Sequence, residues 1–139
     1  MHKYIIALFL LSPISAHAVE INMDVIHFLE SSRGINKNIS SAGAVGPFQI
    51  RQICLTDYNE RNTSKYTLND MLDYDKAYIV AYWALHTRAI QLLKANDFIV
   101  DLEGQLLCYF SGIKNVVNRK VGKKGWRYVW DYKKALNSR

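Results

Sequence analysis

The segment "DKAYIVAYWALHTRAIQLLKAN", residues 75–96, limits the fold more than any other part of this chain. It is apolar on nearly every side at helical spacing. A helix with one apolar stripe can lie on a surface, but one that is apolar almost all round has to be enclosed by other elements. The segment therefore predicts a central helix wrapped by its neighbours. Strand-type alternation is weak along the rest of the chain. The fold class that follows is mainly α, a compact helical domain with little or no sheet. With 139 residues, half of them hydrophobic, the length supports one domain around one core.

The surrounding helices carry their own signals. Asn22 is placed to cap a first helix whose apolar face is Val25, Ile26, Phe28 and Leu29, with Glu30 at its C-terminal end. Residues 32–46 have the Ser- and Gly-rich composition of a loop. Gly46-Pro47 reads as a second helix start, with Pro at the first helical position and Ile50, Ile53, Cys54, Asp57 and Tyr58 following at helical spacing. "NERNTSKY" interrupts the pattern, and Thr67-Leu68-Asn69-Asp70 then resembles a capping box with Asp in place of the usual Glu or Gln. Asp101 caps a further helix with Leu102, Leu106 and Tyr109 on one face. A last helix covers roughly 126–136, packed by Trp126, Tyr128, Trp130 and Tyr132, with room for one or two of them to line a groove instead.

Residues 1–18 read as a secretory signal. A short basic start precedes the apolar stretch "YIIALFLLSPIS", and Ala16-His17-Ala18 is a small-residue cleavage site. The stretch falls short of the roughly 20 apolar residues that span a bilayer. Residues 19–139 then form the exported domain, in the periplasm or secreted. Without Lys3 the chain keeps 17 Lys+Arg against 12 Asp+Glu, a net of +5. The positive charge is densest in "NRKVGKKGWRYVWDYKK". An exported protein has little access to nucleic acid, so no nucleic-acid partner is expected. An anionic polymer of the cell envelope is, and a merely solvated basic face is the alternative. Two cysteines, Cys54 and Cys108, leave two options open: a disulfide closing a long loop, worth about 4 kcal/mol, or two buried thiols. There is no C-x-x-C and the histidines are scattered, so no metal is expected.

Glu30 follows the apolar pair Phe28-Leu29. Apolar surroundings strip hydration from a carboxylate and raise its pKa, so the acid holds a proton near neutrality and can donate it to a leaving glycosidic oxygen. Taken alone, a helix-terminal glutamate is more often an exposed surface group. Its context is more specific. Glu30-Ser31, followed by Ser40-Ser41-Ala42-Gly43-Ala44-Val45-Gly46-Pro47-Phe48-Gln49-Ile50, resembles the signature of the soluble-type lytic transglycosylases of the lysozyme-like superfamily. Cys108-Tyr109-Phe110-Ser111-Gly112 stands where that family has a Tyr-Asn-Ala-Gly-like turn. Two departures are visible. The segment after Glu30 is slightly longer than usual, and Phe110 replaces the Asn.

The resemblance implies a lysozyme-like helical domain that cleaves the β-1,4 bond between N-acetylmuramic acid and N-acetylglucosamine in peptidoglycan. Glu30 would serve as both acid and base, and a 1,6-anhydro product would form without cofactor or metal. Ser31, Gly46, Gln49 and Tyr109 become the candidate substrate-binding residues. Gly43 and Gly46 offer positive φ or close backbone approach. Gln49 offers an amide to an acetamido group, and Tyr109 offers a hydroxyl to orient Glu30. The partners implied are peptidoglycan strands, acted on by a monomer serving a secretion, conjugation or phage apparatus. Two alternatives remain: a hydrolytic lysozyme of the same fold in which a carboxylate such as Asp57 places water, and a non-catalytic glycan-binding envelope protein.

Overall fold

A computed structural model describes residues 18–31, 39–40 and 42–139. The leader, apart from Ala18, and most of the loop after Ser31 lie outside the described residues. Among the described residues seven α-helices follow in order: α1 (Met23–Glu30), α2 (Gln52–Asn62), α3 (Tyr74–Trp83), α4 (Ala89–Ala95), α5 (Leu102–Ser111), α6 (Ile113–Val117) and α7 (Lys123–Asn137). Among the described residues no strand forms; two isolated bridges, Ile39 with Val45 and Val45 with Ile50, are the only extended pairing. The domain is mainly α and compact, as the periodicity required. No described helix is long and apolar enough to cross a membrane.

The segment 75–96 is helical, but its neighbours do not enclose it on every side as its composition implied: Ile79 and Tyr82 are exposed, as are Asp75, Thr87, Gln91 and Lys94. Helices α3 and α4 join through a wider π turn, Ala84–Arg88, into one nearly continuous helix. Ala77, Val80, Ala81, Leu85, Ala89 and Leu93 are buried along it. Helix α5 packs across α4 and the π turn, and α7 lies against both α5 and α1. Gly125 permits the α5–α7 approach: a Cβ there would stand 2.7 Å from both Ser111 Oγ and Val121 Cγ1.

The caps fall where the side chains placed them. Asn22 Oδ1 accepts from the backbone N–H groups of Asp24 (3.0 Å) and Val25 (3.2 Å), and Asp101 Oδ1 accepts from Gly104 N–H at 2.7 Å. Such caps are each worth about 1 kcal/mol. Thr67 and Asp70 do close a reciprocal capping box, on a 3₁₀ turn at Leu68–Leu72. The start of α7 has no such cap. Gly122 supplies no side-chain cap, and the first turn holds Lys123 and Lys124 with no acid. Cations at this end oppose the helix dipole by a few tenths of a kcal/mol each.

One expected element is absent. Gly46-Pro47 does not start a helix; residues 46–49 form a turn, and α2 begins only at Gln52. Two backbone bonds at 2.9 Å tie Val45 to Ile50 in both directions. To close so short a loop, Gly46 and Gln49 take left-handed φ values of +80° and +50°. A Cβ at Gly46 would come within 1.7 Å of Met71 O, so the turn packs directly on the backbone of the 3₁₀ turn. Ile53, read as part of an apolar face, is 80% exposed, and Phe28 on α1 is more exposed than its position in the pattern implied.

The segment before α1 is fastened by three side chains. Gln105, fully buried, accepts from Val19 N–H (3.0 Å) and donates to Val19 O and Leu85 O. His86 Nε2 accepts from Ile21 N–H (2.9 Å), and Tyr132 Oη accepts from Asn22 N–H (2.8 Å). These bonds fix where α1 starts, and so where Glu30 ends.

Candidate active site

Helix α1 is two turns long, and α7 holds it at both ends. Tyr132 of α7 receives the N–H of Asn22 at the start of α1. One turn earlier on the same helix face, Tyr128 donates its hydroxyl proton to Glu30 Oε1 at 2.7 Å. The phenol ring of Tyr128 is buried and stacks on Phe110 of α5, centroids 4.6 Å apart and planes 24° apart. Packing therefore holds the donor in place against the carboxyl.

Glu30 keeps part of its surface open, but its carboxyl is enclosed. Burial raises its pKa from 4.5 to about 7, opposed in part by the Tyr128 hydrogen bond and the charge of Arg51. The outcome is a group close to half-protonated at neutral pH. Both opposing groups favour the carboxylate, so they stabilise the form left behind after a proton is donated.

The candidate binding residues fall into different places. Tyr109 lies near Glu30, whose charge and the burial of the phenol both push its pKa well up. Its hydroxyl does not orient the acid, however. It donates to Phe48 O at 2.7 Å and so holds the turn 46–49. Orientation of Glu30 belongs to Tyr128, which the sequence pattern assigned to helix packing or to the lining of a groove, not to the acid. Gln49 is partly exposed in that turn, and its Nε2 donates to Gly46 O at 3.0 Å, which sets the direction of the amide. Gly46 has the positive φ anticipated for it but is buried against Met71, so its surface is closed to a sugar. Ser31, the C-cap of α1, is 1% exposed and likewise enclosed by protein. Gly43 also has positive φ, +74°, and stands in open space.

Of the two readings of the cysteines, the structure holds free thiols. Burial pushes both Cys54 and Cys108 up to about 11, with the charge of Asp57 adding to the effect at Cys54. Neither is a thiolate near pH 7, so neither is a nucleophile. Asp57, the carboxylate a water-placing mechanism would call on, is clamped by Arg61 Nε (2.7 Å) and Arg88 Nε (2.6 Å). Partial burial would raise its pKa, but the two guanidinium bonds outweigh that and hold it below the usual range. Among the described residues no group of three or more His, Cys, Asp or Glu is placed to hold a metal ion.

A groove of about 550 Å³ opens between α5 and α7, lined by Phe110, Lys123, Lys124, Arg127, Tyr128 and Asp131, and it meets Glu30 only through Tyr128. Tyr128 belongs to both places: its ring lines the groove and its hydroxyl bonds the acid. Compared with protein-family models, curated proteins and solved structures, the chain gives no match.

Proposed function

We propose that this protein is a peptidoglycan lytic transglycosylase with a lysozyme-like helical domain, in which Glu30 is the single acid and base. The observation that carries the reading is the enclosed carboxyl of Glu30, at a pKa of about 7, held by Tyr128, with no other carboxylate of the described residues among the groups that shift it. Protonated Glu30 gives its proton to the glycosidic oxygen as the bond from C1 of N-acetylmuramic acid to that oxygen breaks. The resulting carboxylate, stabilised by Tyr128 and Arg51, then takes the proton of the C6 hydroxyl as that oxygen closes on C1. The atoms balance without water, and the product is a 1,6-anhydro end. Such a reaction needs no second carboxylate to aim a water molecule. The locked state of Asp57, salt-bridged on both oxygens, argues against its serving as that aiming group.

The charge surplus and the open groove that meets Glu30 through Tyr128 suit a negatively charged glycan. The signal-like composition of residues 1–18 supports an exported location, in the periplasm or outside the cell, where a secretion, conjugation or phage apparatus would use local wall opening. Digestion of purified sacculi tests the reading. Wild type should release muropeptides with anhydro ends, and Glu30→Gln should release none. Reducing ends from wild type would mean a hydrolase, and unchanged clearing by Glu30→Gln would remove the glutamate from the chemistry.

A further inference from the structure

The groove between the end of α5 and the first turns of α7 is not used by the proton transfer. Its floor is the stacked pair Phe110 and Tyr128, and its rim holds Lys123, Lys124 and Arg127 against one acid, Asp131. Asp131 is already engaged by Arg127 Nε at 3.1 Å, and the Arg127 guanidinium also lies 4.8 Å from the centre of the Trp130 ring. Lys123 and Lys124 are exposed and have no ion-pair partner among the described residues. The site therefore offers two free cations over an apolar aromatic floor, and Tyr128 joins it directly to the acid.

We propose that this groove binds the acidic peptide branch carried by the muramic acid residue, so that the protein favours peptide-bearing over bare glycan. The proposal rests on the reading of Glu30 as the group that cleaves at muramic acid. That sugar carries its branch on the same ring whose C1–O bond breaks, so the start of the branch must lie close to Glu30. The branch is built of small and acidic residues. Small aliphatic side chains suit the rings of Phe110 and Tyr128, and carboxylates suit Lys123 and Lys124.

Calorimetric titration into the Glu30→Gln protein tests this without turnover. The two ligands are a soluble disaccharide-peptide and the same disaccharide without its peptide. The peptide-bearing ligand should bind about tenfold tighter, with an advantage that shrinks as salt rises. Adding Lys123→Gln and Lys124→Gln should remove most of that advantage, while the charge-matched control Lys65→Gln with Lys94→Gln should keep it. Equal affinity for the two ligands overturns the proposal. So does an advantage that survives the first pair, or one that the control pair removes equally. Vesicles of phosphatidylglycerol that bind through Lys123 and Lys124, with no preference between the two glycans, would assign the groove to a lipid surface instead. Digestion by wild type separates the two claims. Cleavage without peptide preference refutes the groove alone, and peptide-dependent binding without cleavage refutes the enzyme alone.

Discussion

Glu30 and Asp57 carry the same functional group and have opposite fates. Asp57 sits on α2 with an arginine on each oxygen, and its charge is held in place. Glu30 sits at the end of α1 with one neutral hydroxyl donor and one more distant cation, and burial outweighs both. The difference lies in partners rather than in chemistry. Two short-range guanidinium bonds can overcome desolvation, whereas one phenol and a remote charge cannot. A carboxylate of the first kind fastens α2 to the π turn. One of the second kind can move a proton near pH 7.

The largest expected effect separates the two directly. Glu30→Gln should lower the rate of wall lysis by about a thousandfold or more, read as loss of turbidity clearing. Asp57→Asn should leave lysis within a few-fold of wild type and cost about 1 kcal/mol of stability, because its ion pairs are only partly buried. Abolition of lysis by Asp57→Asn would erase the contrast and favour a hydrolase.

Stability against pH gives the next largest effect. Below about pH 4.5 Glu30 is protonated in both the folded and the unfolded chain. As pH rises, the unfolded chain releases its proton first, so the fold loses stability until the enclosed carboxyl also ionises near pH 7. A rise from 4.5 to about 7 corresponds to about 3 kcal/mol lost by pH 8. Glu30→Gln escapes that loss. It should match wild type in denaturant unfolding at pH 4 and exceed it at pH 8, the reverse of what an ordinary loss-of-contact mutation does. At Asp57, whose pKa is depressed, the sign inverts: its contribution is present at neutral pH and disappears in acid.

Smaller shifts refine the balance at Glu30. Tyr128→Phe removes the hydroxyl that favours the carboxylate, so the pKa should climb by about one unit. The alkaline limb of the rate profile should move up with it. Arg51→Gln should move the same limb upward by only a few tenths of a unit, since Arg51 is exposed and acts through solvent. That shift should vanish in high salt, whereas the Tyr128 shift should not.

Local rules were enough for much of this molecule. Asn22, Asp101 and the Thr67–Asp70 pair declared three of the element starts, and the apolar run 75–96 declared a long helix, though not its exposed residues Ile79 and Tyr82. Glu30 was legible because it closes an apolar helix just ahead of a Gly- and Ser-rich loop. Its partner was not. Tyr128 lies 98 residues away, and nothing in the pattern of α7 distinguishes a tyrosine that packs from one that also donates to an acid. Tyr109 drew attention by its position near the end of α5, yet its hydroxyl is used by a carbonyl in a turn. The Gly46-Pro47 dipeptide misled for a related reason. Pro at a helix start and Pro in a tight turn share the same φ, and the choice was made by the Val45–Ile50 pairing and by contact with Met71, neither of which is local.

A site-resolved titration of the Glu30 carboxyl by ¹³C NMR, in the wild-type protein, bears most directly on all of this. The midpoint should fall at about 7, and it should rise when Tyr128 is replaced by Phe. A midpoint near 4.5, the ordinary value for glutamate, would mean that the carboxyl is hydrated and ionised at neutral pH, and the single-acid mechanism built on it would fall.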